Sequence, residues 1–154
     1  QHPKLKEYAY LFSFGEKNHP FCAPLMANFQ FDLDIELMKK GAKLFEGKHQ
    51  FRNYCVRVSE NSTFEREIIK SELVENTEIT ASFFPEKSYI FHIHSAGFLR
   101  HQVRLMMGAL LQLGRGELTL KDLENSLKPG VEMQMDYIVP ASGLFLNKIG
   151  LEDY

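Results

Sequence analysis

The sequence has few of the features that mark several large protein classes. It contains no Trp and only two cysteines, Cys22 and Cys55, which are too few for a disulfide framework and lead us to expect a reducing compartment, the cytoplasm. No apolar run approaches the roughly 18 residues that a membrane span requires, so we expect no membrane segment. The glycine spacings of phosphate and dinucleotide loops and the GxSxG nucleophile motif are also missing. These absences argue against a secreted disulfide scaffold, a membrane helix, a P-loop or dinucleotide enzyme, and a serine hydrolase of that motif class.

The remaining composition is that of a globular protein. With 154 residues, 44% hydrophobic and 25% charged, the chain predicts one domain over 1–154. Its net charge of −2 is an average of two unlike segments. Residues 86–115 carry four basic side chains and one acidic one, a net +3, while residues 116–136 carry two basic and five acidic ones, a net −3. The overall charge therefore does not argue against a nucleic-acid partner.

Hydrophobic periodicity predicts a mixture of strands and helices without regular alternation. The most regular helix pattern covers 98–113 and is apolar on both sides, which is typical of a helix in the middle of a domain. Other helices are expected from the N-cap at Asp34 to Gly47 and from the Thr119–Asp122 capping pair to the Pro129-Gly130 stop. Strands are expected at 7–14, 65–74, 77–84, 88–95 and 144–146, with a hairpin turn at 85–87. This order predicts an α+β fold, a mainly antiparallel sheet packed against a long central helix and shorter helices.

Arg104 is the residue most suggestive of chemistry. The pattern places it in the second turn of the apolar helix, with Arg100 one turn earlier on the same face. A cation there lies at the positive end of the helix dipole, and burying that cation without an anionic partner costs several kcal/mol. Two explanations stay open at this point. Both arginines extend to the surface or pair with a structural Glu, or Arg104 holds a carboxylate or phosphate at a site.

Histidine and tyrosine pairs leave similar alternatives. His92 and His94 share one face of a strand and His101 follows, which is one fragment of a metal site, but no CxxC accompanies it. Hydrogen-bonded strand histidines are the simpler interpretation, and we predict no metal, although a small metal-binding protein is a rival function. Tyr8 and Tyr10 fit either a core or a platform on which an unpaired RNA base stacks.

Four blocks of sequence carry a family resemblance. They are KEYAY at 6–10, GKHQF at 47–51, GFLRHQVR at 97–104 and PASGLFL at 140–146, in this order. The combination resembles the C-terminal half of the TruA family of tRNA pseudouridine synthases, and the run from GFLRHQVR through 114 is its most specific part. The resemblance covers nearly the whole chain and implies a pseudouridine synthase-like fold.

The resemblance also implies roles for individual residues. Tyr8 matches the tyrosine that packs on the target base, and Arg104 matches the arginine that pairs with the catalytic aspartate. Leu144 and Leu146 match apolar residues that line the catalytic cleft. Arg100 and His101 are candidates for contacts to the RNA backbone. No metal, nucleotide or redox cofactor is implied.

One departure shapes the functional expectation. The family nucleophile is an Asp in an Arg-Thr-Asp stretch, and this sequence contains no Arg-x-Asp. Because the chain also begins at Gln1 rather than Met and is about half of family length, we expect the C-terminal half of an enzyme, inactive alone. The whole enzyme would be an isomerase that converts uridine to pseudouridine in the tRNA anticodon stem-loop, a cytoplasmic homodimer. The alternative is a non-catalytic RNA-binding module of the same fold.

Overall fold

The computed structural model describes residues 4–56, 63–133 and 135–151. Within these ranges the main elements are six strands and three α-helices. The strands are β1 Lys4–Phe14, β2 Ala27–Phe29, β3 Gly47–Gln50, β4 Glu65–Glu75, β5 Tyr89–Ser95 and β6 Leu144–Leu151. The helices are α1 Ile35–Leu44, α2 Gln102–Gly114 and α3 Leu120–Ser126. The α+β prediction is confirmed.

All six strands belong to one mixed sheet organised around β1. The order is β2-β1-β5-β4-β3, and β6 pairs with β1 on the same side as β2. The β1–β5, β1–β6, β3–β4 and β4–β5 pairs are antiparallel, and β1–β2 is parallel. A β-bulge lies opposite the Glu7–Tyr8 step, where the pairing with β6 shifts register. Such irregularities redirect side chains near functional sites.

The main core lies between one face of this sheet and the helices. Alternation along β1 directs Tyr8, Tyr10, Phe12 and Phe14 to this face, and both Tyr10 and Phe12 are fully buried. Ala9 and Leu11 point to the opposite face and join a smaller cluster with Cys22, Met26 and Ile90. Both faces of β1 are thus covered, which explains why most of its residues are apolar.

Helix α2 is the central helix. Eleven of its residues are buried, including Leu105 and Met107 on different sides, so its all-round apolar pattern is accounted for. α1 packs against it, and Asp34 caps α1 by accepting a hydrogen bond from the Leu37 N–H at 3.1 Å. The capping box of α3 is present in both directions between Thr119 and Asp122.

The strand predicted at 77–84 and the hairpin turn at 85–87 are wrong. The connection between β4 and β5 is an irregular loop held by Asn76. Its Oδ1 accepts from the N–H groups of Glu78 and Ile79, and its Nδ2 donates to the Ile79 carbonyl and to Ser88 Oγ. An Asn that satisfies the local backbone in this way competes with strand pairing. Phe83 and Phe84 instead cover the smaller core cluster.

Two helix boundaries also differ from the prediction. α2 begins at Gln102 rather than Phe98, because the Gln102 side chain accepts from the Leu99 N–H at 2.7 Å and closes a turn before the helix. Arg104 therefore lies in the first turn and Arg100 lies outside the helix. α1 ends at Leu44 with Phe45 as C-cap, so Gly47 opens β3 with a φ of 106° instead of ending the helix.

Within the residues described, no helix combines the length and the apolar character needed to cross a membrane.

Candidate active site

A cleft of about 270 Å³ opens on the helix side of the sheet. Three separate parts of the chain form it. They are β1, the segment 98–104, which comprises the turn before α2 and the first turn of α2 itself, and the start of β6. Its lining residues are Tyr8, Phe98, Leu99, His101, Gln102, Val103, Arg104 and Leu144. Four of the predicted site residues, Tyr8, His101, Arg104 and Leu144, are thus brought together.

An aromatic pair forms one wall of the cleft. The rings of Tyr8 and Phe98 meet edge to face, with centroids 5.4 Å apart and planes at 82°. This arrangement holds the Tyr8 ring in a defined orientation while leaving it half-buried. Phe98 is absent from our predicted site, although it lies inside the GFLRHQVR block, because its expected position within a helix gave no reason to pair it with Tyr8.

Arg104 supplies the charge of the cleft. Its side chain is half-buried, and its Nε–H donates to the Val139 carbonyl at 2.8 Å. Among the described residues no carboxylate lies within 4.0 Å of its guanidinium, so both terminal nitrogens lack an acidic partner there. The first turn of α2 adds positive potential from its free N–H groups. An anion is therefore the ligand that this end of the cleft favours.

The backbone at His101 is strained. His101 is the N-cap of α2 and adopts the left-handed conformation, φ 60° and ψ 14°, the one positive φ of a non-glycine residue in the described ranges. Strain of this kind costs about 1–2 kcal/mol and occurs preferentially at functional sites. It lets the chain turn sharply from the Phe98–Leu99 wall into α2, so that Arg104 faces the same cleft.

Two predicted site residues lie outside the cleft. Arg100 is exposed in the turn before α2, where its carbonyl accepts from the Val56 N–H at 3.3 Å. Leu146 is 46% exposed and pairs with Tyr8 across the β1–β6 ladder. Both flank the cleft rather than line it.

The histidine pair lies on the opposite face of the sheet. His92 and His94 pair with Ala9 and Glu7 of β1, and His94 Nε2 lies 3.6 Å from Glu7 Oε1. Burial lowers the pKa of both imidazoles. No cluster of three or more His, Cys, Asp or Glu side chains suited to a metal occurs in the part of the chain that the structure describes, and His101 belongs to the cleft instead.

No acidic residue that could act as a nucleophile occurs among the described residues that line the cleft. Asp34 and Asp122 cap helices, and Asp32 and Asp136 are exposed at the surface. Asp153 lies outside the described residues. The described cleft thus combines an aromatic ring, a guanidinium and apolar walls, without a carboxylate.

Comparisons with known proteins agree with this arrangement. A family model described as tRNA pseudouridine synthase matches residues 42–150, which is most of the chain and includes α2 and most of β6. The chain belongs to the tRNA pseudouridine synthase family. It is 33% identical over 148 residues to tRNA pseudouridine synthase A of Dictyoglomus thermophilum, covering 95% of this chain and 56% of that protein. The enzyme of the same name from Leuconostoc mesenteroides is 29% identical over 144 residues, covering 94% of this chain and 54% of that one.

A third tRNA pseudouridine synthase A, from Staphylococcus carnosus, is 27% identical over 146 residues, which is 95% of this chain and 51% of the relative. These relatives confirm the resemblance to the TruA family. The chain spans about half the length of the pseudouridine synthases it matches.

Proposed function

We propose that this chain is the C-terminal half, a single domain, of a tRNA pseudouridine synthase. The observation that carries the proposal is the meeting of Tyr8 and Arg104 in one cleft, with an unpaired guanidinium at the amino end of α2 and no carboxylate among the described lining residues. A nucleophilic Asp contributed by another part of the full-length protein supplies the missing charge.

In this mechanism Arg104 pairs with that Asp and holds it ionised, because a cation within a few ångströms lowers a carboxyl pKa. The Asp attacks the target nucleotide covalently. The glycosidic C1′–N1 bond breaks as an ester bond forms between the Asp carboxylate and C1′, and the uracil anion turns over. C5 then attacks C1′, the C1′–C5 bond forms, and the Asp leaves with its electron pair as the free carboxylate. C5 loses its proton to solvent, and N1 takes one up. Atoms and electrons balance within the nucleotide, so no oxidant or cofactor enters the reaction.

Tyr8 stacks on the uracil, and Leu144 closes the cleft against water. The target uridine leaves its own stack to reach them, which is the usual requirement for chemistry on a base. Arg100 and His101 contact the RNA backbone beside the cleft, with Leu146 as an apolar contact. Because such contacts release counterions, tRNA affinity falls with increasing salt.

The substrate that we propose is a uridine of the tRNA anticodon stem-loop, modified by a cytoplasmic homodimer. The family membership supports tRNA as the class of substrate, and the open cleft admits an extruded base rather than an intact duplex.

The test compares the full-length protein with the 154-residue chain on the same tRNA. Tritium released from C5 of labelled uridine reports turnover, and filter binding reports affinity. We expect release by the full-length protein and none by the chain alone. Release by the chain alone would refute the shared site, and RNA binding without release by the full-length protein would support the alternative, a non-catalytic RNA-binding module.

A further inference from the structure

We propose that Tyr10 is a positioning residue that fixes the orientation of the Arg104 guanidinium through the backbone of residues 137–140. This inference rests on the proposed function, because it concerns the group that would pair with the nucleophile. Tyr10 does not line the cleft, and it contacts neither the target base nor the nucleophile in our mechanism.

Two hydrogen bonds on consecutive carbonyls connect the residues. Arg104 Nε donates to the Val139 carbonyl at 2.8 Å, and the Tyr10 hydroxyl donates to the Pro140 carbonyl at 2.7 Å. The first bond occupies the single N–H of Nε and leaves the two terminal nitrogens for an anion. The direction of the Val139 carbonyl therefore sets where that planar fork points.

Pro140 makes the coupling between the carbonyls stiff. Its ring restricts φ, here −57° with ψ 142°, so one backbone rotation that would let the Val139 carbonyl turn relative to the Pro140 carbonyl is removed. With the Pro140 carbonyl held by Tyr10, the Val139 carbonyl has little freedom left. Pro140 itself is exposed, so no packing of its ring into the core explains its presence.

The same segment is held from the other side by α2. Gly108 lies one turn after Arg104 on the same helix face. A Cβ at Gly108 would lie 1.9 Å from the Tyr137 carbonyl oxygen, so the backbone passes the helix at a distance that only glycine permits. Residues 137–140 are thus fixed at one end by a close backbone approach and at the other by the Tyr10 hydroxyl.

The surroundings of Tyr10 suit a permanent hydrogen-bond donor. The side chain is fully buried, and burial raises its pKa far above the ordinary value, with Tyr137 acting in the same direction and the positive charge of Arg104 opposing both. The hydroxyl therefore stays protonated throughout the physiological range. The hydrogen bond from Arg104 Nε to the Val139 carbonyl places the guanidinium beside this segment.

The test uses the full-length protein with Tyr10→Phe and a matched control, Tyr54→Phe. Tyr54 is equally buried and its hydroxyl bonds Ser126 Oγ at 2.6 Å, but it lies outside the cleft. Both changes delete one buried hydroxyl, so both should lower the melting temperature similarly. Single-turnover pseudouridine formation should slow about tenfold for Tyr10→Phe only, which corresponds to the loss of about one hydrogen bond, and tRNA affinity should be unchanged.

A double-mutant cycle decides whether Tyr10 acts through Arg104. Arg104→Lys keeps the charge but removes the Nε–H, so Tyr10→Phe should cause no further loss in that background. Pro140→Ala, at an exposed position and without other changes, should also form pseudouridine more slowly than wild type, but the loss should be smaller than that of Tyr10→Phe. This variant keeps the proposal testable if Tyr10→Phe does not fold.

Equal rates for Tyr10→Phe and Tyr54→Phe would overturn the positioning role, as would independent losses in the cycle or a wild-type rate for Pro140→Ala. The proposed function fails differently, since the full-length wild-type protein would then form no pseudouridine, whereas wild-type rates for both Arg104→Lys and Arg104→Ala would refute the role of Arg104.

Discussion

The close approach of α2 to residues 137–139 gives a prediction whose size follows from the geometry. Gly108→Ala adds a Cβ that would lie 1.9 Å from the Tyr137 oxygen, whereas side-chain Cβ contacts stay above 3.0 Å, so the backbone must move by at least 1.1 Å. Overpacking against backbone costs about 3 kcal/mol, at the upper end of the usual range. Replacing glycine within a helix returns about 1 kcal/mol. We expect a net loss of about 2 kcal/mol in the free energy of unfolding.

Gly114→Ala is the matched control because it lies in the same helix. Its Cβ would lie 2.5 Å from Met38 Sδ, a flexible thioether that can move aside. Urea denaturation followed by circular dichroism measures the loss in the free energy of unfolding. In a parallel thermal scan, the melting temperature of Gly108→Ala should lie about 4–8 °C below that of wild type, and that of Gly114→Ala within about 3 °C of it. A Gly108→Ala variant as stable as wild type, or an equal loss of stability in both variants, would refute the close approach of the backbone at Gly108.

Two further predictions concern histidines. His101→Gly should leave the free energy of unfolding within about 1 kcal/mol of wild type, since relief of left-handed strain offsets the entropy of glycine, whereas His101→Val should lower it by about 2 kcal/mol; equal stability of the two variants in urea denaturation would contradict the strain. Burial lowers the pKa of His92 and His94 below the ordinary 6.5. The unfolded chain then binds more protons than the folded one at acidic pH. The contribution of the two neutral imidazoles to stability is therefore fully present above pH 6.5, and it is lost as the pH falls from there toward the folded pKa values. Urea denaturation between about pH 5 and 7 should show this loss, and a His92→Gln, His94→Gln double variant should flatten it; an unchanged pH dependence would assign the loss elsewhere.

The sequence predicts those parts of the fold that depend on local periodicity and capping. The apolar pattern around Leu105 and the Thr119–Asp122 pair lead directly to α2 and α3. The strand expected at 77–84 fails because the side chain of Asn76 binds the loop backbone, which hydropathy does not record. Similarly, Leu99 and Gln102 form a side-chain turn that shortens α2 at its start.

The candidate site, like the fold, could be predicted from the sequence only in part. Arg104 stands out in the sequence because a cation at the start of an apolar helix is unfavourable without a partner. Its actual hydrogen-bond acceptor, the Val139 carbonyl, is 35 residues away, and the Tyr10–Pro140 bond spans 130 residues. Backbone acceptors carry no residue-type signal, so contacts of this kind become visible only once the chain is folded.

The central claim is that Arg104 provides the charge partner for a nucleophile supplied by the rest of the protein. The most direct measurement is the single-turnover rate of pseudouridine formation by full-length Arg104→Ala, together with its dissociation constant for tRNA. We predict a rate at least about a hundredfold below wild type with affinity changed by no more than about twofold, as expected when a group acts on the reacting charge rather than on binding. A wild-type rate, or a loss explained by weaker tRNA binding alone, would contradict the claim.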